Sequence, residues 1–509
     1  MTVTAGCTLG LAAKTSADAI LTCDPEMTFF KSRFARHTNF QTGQIDQCIG
    51  SGSSCAALIG AGDSAPRRIC TTIQRTSDLI GPMYVRTVLP ALNTVELTGL
   101  AGRAALASDI AADAYGAGAP VSTTEADIPV DGGYAYVDEV AHYMVARAEF
   151  LGGGHRMDEL HSEQQYLEWH AEHTNEKRME NSLGTGDLQL RVDRAFAEQV
   201  VYSPLRFWFT KAACQYLPVI AMQGHEAQIN IDGVSARSMY GGRGTQAVFD
   251  DVIDRAIVEK IGNAEQDLVY DGVFLDRTER LYLAKTQLEY TITEHQDSIH
   301  LGVGEGTANV RLTSLALNHP VRYLMVALRR DSMIKGVSND LPPDLVYPVK
   351  DSKTNGEHKT PLQWNDFSGG TVLASGRSSP SLESLQLKIN NYDRLYDVSK
   401  VGLYYQEVHP SHKFDGQTYE TFGHYYSFGQ TGMGPKPTGS LNMSALDNVD
   451  LLVTRLANPA STYSAGVAPG DWVDNYPPKA FEKTDVFIFA CSINVLKFVS
   501  GMLGKVYAN

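Results

Sequence analysis

The stretch Val486 to Val506, VFIFACSINVLKFVSGMLGKV, decides between two kinds of fold. It matches the roughly 20 apolar residues that a membrane-spanning helix needs. Asn494, Lys497 and Ser500 interrupt it near its middle, and a lysine at bilayer depth costs about 2.5 to 3.5 kcal/mol on insertion scales. Its Val, Ile and Phe residues suit a pleated, packed surface, and Gly501 supplies a turn. The segment therefore predicts a buried β-strand and a small-residue turn rather than a span.

Outward from it, the same kind of segment recurs. Tyr84–Leu89 (YVRTVL), Leu205–Phe209 (LRFWF), Glu226–Ile231 (EAQINI), Leu288–Thr293, Asn309–Leu317, Val321–Leu328 (VRYLMVAL), Leu385–Ile389 and Val449–Leu456 concentrate β-branched and aromatic residues. Turn formers separate them. Many short strands broken by Gly and Pro, without regular helices between them, predict an all-β sandwich or barrel rather than a parallel α/β sheet.

Two helical segments stand out. Met157–Arg178 is charged and holds Leu160, Leu167 and Trp169. Gln246–Ile261 sets Val248, Phe249, Val252, Ile253, Ile257 and Ile261 on a stripe opposite Asp250, Asp251, Asp254 and Glu259. The second is amphipathic, flanked by glycines and close to the midpoint, so it reads as a connector between two halves. Ile45–Pro66, Ala91–Gly133 and Asp331–Pro380 read as long loops or insertions.

A chain of 509 residues exceeds the roughly 250 to 300 at which one core stops growing, so two or more domains are expected. Hydrophobic residues at 43% rule out disorder over most of it. A net charge of −15 repels polyanions, which argues against wrapping nucleic acid. Nothing at the start resembles a secretory signal. The seven cysteines lack CxxC spacing, and reduced thiols in a cytosolic compartment are expected.

Chemistry-bearing patterns are weak. His155, His161, His170 and His173 lie among Asp158, Glu159, Glu163 and Glu172. His170 and His173 share a helix face, but no third ligand is specified, so a solvated polar face is the expected reading. Gly302, Gly304 and Gly306, like Gly50 and Gly52, lack the GxGxxG spacing and read as turn glycines. Asp250 and Asp251 are adjacent and point apart, which fails the convergence that acid–base work needs. Asn442-Met443-Ser444 matches a glycosylation sequon and is read as structural. Lys31, Arg33, Arg36 and His37 form a local basic run. No catalytic, cofactor-binding or metal residue is expected.

Nine segments, in order, resemble the major capsid proteins of nucleocytoplasmic large DNA viruses. Met27–Phe40 (MTFFKSRFARHTNF) is similar to the family's TFFK…RHTNF opening, and Gln74–Pro90 (QRTSDLIGPMYVRTVLP) to its RNGDLIG…LP. Val137–Asp158 follows its strand, GG turn and R-x-D, with GGGHR where the family has IGGQR. Tyr202–Ile231 resembles the end of the first family domain. Val273–Glu294 (VFLDRTERLYLAKTQLEYTITE), His319–Val326 (HPVRYLMV) and Leu385–Arg394 (LQLKINNYDR) continue the match. Tyr425–Phe428 with Pro437–Leu451 (PTGSLNMSALDNVDL) and Ile493–Asn509 complete it.

The resemblance implies two tandem eight-stranded jelly rolls, a double jelly roll, with long loop insertions and a few short helices. With the boundary set at the midpoint helix, the expected divisions are an N-terminal arm at 1–40, a first jelly roll at 41–245, a linker helix at 246–265 and a second jelly roll at 266–509. The resemblance further implies a structural protein, not an enzyme, whose homotrimers form pseudo-hexagonal capsomers of an icosahedral capsid. Phe207, Trp208, Phe209, Phe487 and Phe489 would fill cores, and Pro437–Ser444 would be a tight strand entry. Implied partners are its own copies, minor capsid and penton proteins met through the arm, and an apposed inner membrane, without direct nucleic-acid binding. Its place would be the virion, after assembly in host cytoplasm. The alternatives are a minor capsid or scaffold paralogue of the same fold, or a jelly-roll carbohydrate-binding protein.

Overall fold

The structure is a computed structural model that describes residues 23–32, 35–50, 58–59, 67–93, 134–173, 179–186, 188–242, 251–304, 307–313, 315–330, 364–367, 381–390, 392–396, 404–416, 418–455 and 483–507. The chain divides into two compact units, Met1–Phe40 and Gln41–Asn509. In the first, Met27, Phe29 and Phe30 are exposed, as are Lys31, Arg36 and His37. Arg33 lies outside the described residues.

Among the described residues, sixteen strands build the two sandwiches of the large unit, beside a separate antiparallel pair, Tyr134–Tyr136 with Tyr240–Gly242. The first eight are β1 (Phe40–Cys48), β2 (Arg68–Thr72), β3 (Leu79–Leu89), β4 (Val145–Gly152), β5 (His155–His161), β6 (Gln199–Pro204), β7 (Ala227–Gly233) and β8 (Glu265–Leu275). They pair as two four-stranded sheets, β1-β8-β3-β6 and β2-β7-β4-β5. The next eight are β9 (Leu288–Val303), β10 (Asn309–Leu312), β11 (Pro320–Arg330), β12 (Leu382–Ile389), β13 (Tyr392–Tyr396), β14 (His424–Ser427), β15 (Val449–Arg455) and β16 (Thr484–Val499). Their sheets run β9-β16-β11-β14 and β10-β15-β12-β13, the same order raised by eight. Short strands at Leu441–Asn442 and Met502–Lys505 extend the first of these. Two eight-stranded antiparallel sandwiches of identical winding are a double jelly roll.

Local sequence explains the strands. In β7, Ala227, Ile229, Ile231 and Gly233 face inward and alternate with Gln228, Asn230 and Asp232, the period of a half-buried strand. Gly153 and Gly154, both at positive φ, turn β4 into β5, as a two-residue hairpin of the right twist demands. Gly50, Gly302 and Gly304 also take positive φ at turns, while Gly52 and Gly306 lie outside the described residues.

The run that opened the question is β16. Every residue from Thr484 to Ser492 is buried. Val486, Ile488 and Ala490 pack into the second sandwich, whereas Phe487, Phe489 and Cys491 join the core that continues into the first. β11 behaves likewise, with Val326 and Leu328 on one side and Met325 and Ala327 on the other. A strand covered on both faces reads as continuous apolar sequence without any bilayer. No described helix is long and apolar enough to cross a membrane.

Several expectations are corrected. Leu205–Phe209 is not a strand, because β6 ends at Pro204, which has no N–H for the ladder, and Trp208–Thr210 forms a 3-10 helix. Phe207, Trp208 and Phe209 are nevertheless fully buried. Met157–His161 belongs to β5, so the helix begins only at Ser162. Ile45–Cys48 lies in β1, and Leu58 and Ile59 are core residues rather than loop surface. Of the other two insertions, Trp364 and Phe367 are buried and most positions lie outside the described residues.

The amphipathic helix spans Asp251–Gly262, but the strand after it, β8, pairs with β3 from Glu265 to Val273. The change of sandwich therefore falls between Leu275 and Leu288, across the helix Arg277–Lys285, not at 246–265. The thiols are also not all reduced. Cys48 is disulfide-bonded, its partner lies outside the described residues, and Cys23, Cys70, Cys214 and Cys491 are free.

Candidate functional site: an ionic seam between the two jelly rolls

The helix α1 (Ser162–Glu172) follows β5 and is buried on all sides, with Gln164, Gln165, Tyr166, Leu167, Glu168, Trp169, His170 and Ala171 shielded from water. The expected solvated face is thus corrected. Both sandwiches cover the helix, and its polar groups must find partners in them.

Several do so in both directions, while among the described residues the Gln165 amide, Gln164 Nε2 and the Trp169 indole N–H are shielded without a hydrogen-bond partner. The Tyr425 hydroxyl donates to the Leu167 carbonyl at 3.2 Å, and the Gly416 N–H to that of Ala171 at 2.9 Å. Arg329 donates to Glu163 at 2.9 Å. At the centre, Glu168 accepts from Lys211 Nζ at 3.0 Å and from the Tyr323 hydroxyl at 2.9 Å, with His295 Nε2 at 3.0 Å and Arg206 Nε at 3.8 Å. Lys211 and Arg206 come from the first half, Tyr323 and His295 from the second.

His295 is gripped from its other side as well. Its backbone N–H donates to Asp158 at 3.0 Å, and its Nδ1 lies 3.1 Å from both Asp158 oxygens. Burial alone would pull the imidazolium down, yet Asp158 and Glu168 outweigh it and hold His295 up at about 10. Burial likewise favours protonated Glu168, but Lys211, then His295 and Arg206, keep its carboxyl well below the usual range. Opposite charges in a shielded site each favour the ionised form of the other.

The predicted histidine cluster does not converge. His170 Nε2 meets Glu139 at 2.8 Å, His173 stacks on Trp169 with centroids 4.0 Å apart, and His155 is exposed at the β4–β5 turn. His161 lies near Glu159 and Asp297, whose donor atoms all fall within 4.8 Å of one another. These are poor metal ligands. Arg147 and Arg156 already bind the two oxygens of Glu159, and Asp297 and Glu159 overcome burial to hold His161 up at about 9. Burial opposes ionisation of Glu159, but His161 and the arginines bring it down to about 2.

At Pro437–Ser444, the Asn442 side chain accepts from the Ser444 N–H at 3.1 Å, and the Ser444 hydroxyl accepts from the His319 N–H at 2.8 Å. These bonds fix the strand entry that the sequence suggested.

Sequence reasoning missed Glu168, Lys211, Arg206, Tyr323 and His295. One signal was available. Tyr166, Leu167 and Trp169 place large apolar groups around more than one face of α1, which a surface helix does not do.

Two identically wound jelly rolls joined through buried charge define a double jelly-roll protein. The chain belongs to the large eukaryotic DNA virus major capsid protein family. One family sequence model, Major capsid protein N-terminus, matches residues 28–241, and another, Large eukaryotic DNA virus major capsid protein, matches 279–504. The major capsid protein of Paramecium bursaria Chlorella virus 1 is 25% identical over 98% of each chain. That of Phaeocystis pouchetii virus is 22% identical over 99% of this chain and all of its own. The solved PBCV-1 virus capsid chain superposes with a TM-score of 0.63 at 22% identity, covering 95% of this chain and 100% of that one. A Faustovirus major capsid protein reaches 0.56 at 9% identity, covering 96% and 94%. The protein is thus a structural component of a viral capsid, and its family is not enzymatic.

Proposed function

We propose that three copies of this chain form a pseudo-hexagonal capsomer that tiles an icosahedral shell. The observation that carries the reading is the repeated strand order, β1-β8-β3-β6 with β2-β7-β4-β5 and then the same pattern eight strands on. Closed three-fold symmetry applied to a subunit of two equivalent sandwiches presents six similar flanks. Six flanks fill a hexagonal lattice position with only three chains.

The seam supports this reading, since a tile keeps its outline only if its two halves keep their angle. The N-terminal residues Met27, Phe29, Phe30 and Lys31, exposed and mixed in character, suit contact with minor capsid and penton proteins. Arm 1–40, a first jelly roll from 41 to 275 and a second from 288 are the working divisions. Assembly in host cytoplasm and apposition to an inner membrane complete the proposal.

Light scattering of the purified chain tests it. Three chains of 55.6 kDa give about 167 kDa, with a hexagonal outline in electron micrographs. A mass of one chain at micromolar concentration would overturn it. Scarcity in purified virions would instead favour a minor shell paralogue.

A further inference from the structure

Where the sandwiches meet, β5 runs beside β9, and each strand gives the other one acid and one histidine. Asp158 of β5 holds His295 of β9 at 3.1 Å, and His161 of β5 lies 3.7 Å from Asp297 of β9. The geometry points to a reciprocal histidine latch that fixes the angle between the two jelly rolls while both imidazoles are protonated and frees it in alkaline solution. It rests on the seam alone and not on the trimer.

All the neighbouring charges bear on the latch. His295 faces Asp158 from β5, Glu168 from α1 and Lys211 at 3.3 Å, with Tyr323 and Arg206 reaching it through Glu168. His161 faces Glu159 at 3.5 Å and Asp297, stacks on Phe489 at 6.2 Å, and is followed on α1 by Glu163, which Arg329 binds. His161 shares Glu159 with Arg147 and Arg156 and has Asp297 as its second acid, while around His295 the acids Asp158 and Glu168 face Lys211 as the nearest opposing cation. A neutral His295 keeps one N–H for Asp158 and loses the one toward Glu168.

The direction follows from linkage. Free histidine titrates near 6.5, and His161 and His295 are held up at about 9 and about 10. Their contribution is complete below pH 6.5 and disappears as pH rises through 9 and 10. On that scale the seam weakens on the order of a hundredfold for His161 and a thousandfold for His295. The second sandwich's own buried histidine, His424, is held down at about 4 and is already neutral at pH 7, so alkali leaves it unchanged. The junction therefore gives way before the second sandwich does.

Thermal unfolding of the full chain between pH 7 and pH 10.5 tests the latch, with His161→Gln, His295→Gln, the double variant and Asp297→Asn. The wild type should lose about 5 °C or more above pH 8.5 and resolve into two transitions. The double variant should start lower and stay flat. Asp297→Asn should move the onset to lower pH, which a merely packing role would not do. If His295→Gln fails to fold, the variants of half-buried His161 and exposed Asp297 still decide. A wild-type midpoint constant from pH 7 to 10, or a double variant falling as steeply as wild type, overturns the latch.

Discussion

Replacing Glu168 by alanine removes the one carboxylate that touches three cations and a phenol at the centre of the molecule. Two of the cationic contacts are at 3.0 Å, and each corresponds to about 5 kcal/mol at an effective dielectric of about 20. Withdrawing the ions from water offsets much of this, so the intact cluster adds little net stability. Truncation is different. It leaves Lys211 Nζ and His295 Nε2 facing each other at 3.3 Å, with Arg206 shielded nearby, and an unbalanced buried charge costs about 3 to 5 kcal/mol. Urea unfolding at pH 7, followed by both tryptophan fluorescence and circular dichroism, measures the loss and shows whether the transition stays cooperative. Glu168→Gln keeps an acceptor for Tyr323 and should lose less. The carboxyl lies well below its usual range, so its contribution is present above about pH 4.5 and fades as pH falls. Glu168→Ala should lack that acid-sensitive component. A loss under about 1 kcal/mol, or a gain, would refute the reasoning.

Phe489 is fully buried on the seam side of β16, so Phe489→Ala should lower stability by about 3 to 5 kcal/mol in the same urea assay. Gly416→Ala drives a Cβ into the His170 carbonyl oxygen, and should lower the thermal midpoint far more than Gly504→Ala, where the added carbon meets nothing. Burial pulls His424 down to about 4. Its neutral form is favoured by folding, so stability should fall by up to about 3 kcal/mol as pH drops from 6.5 to 4, and His424→Gln should blunt that slope. Alkylation of the folded, unreduced protein should mark Cys23, Cys70 and Cys214 and spare Cys48 until a reductant is added, as peptide mass spectrometry would show.

The strands were the most legible part of the fold because their burial is written in consecutive residues. Val321–Leu328 and Val486–Ile493 are apolar runs interrupted only by Arg322 and Ser492, and the structure buries both. The seam was illegible for the opposite reason. Glu168 finds Lys211 43 residues away and Tyr323 155 residues away, so no local spacing announces them. The composition of α1, rich in Glu, Gln and His, matches a wet surface, and only pairing across two sandwiches makes it an interior. The boundary was misplaced for a related reason. The helix Asp251–Gly262 looks like a connector, yet nothing in its own residues reveals that β8 returns to pair with Leu79–Val88.

That returning strand bears on how the chain is made. β1 sits at a sheet edge beside β8, which lies about 220 residues downstream, so the first sandwich waits roughly 10 to 45 s for its missing member at ordinary translation rates. The second is more dependent still, because β16 lies between β9 and β11 and leaves the ribosome after the other seven strands of its sandwich, followed only by the short extension Met502–Lys505. Until then the nascent polypeptide carries open sheet edges and uncovered apolar faces, and a ribosome stalled before Thr484 releases an aggregating fragment rather than half a tile.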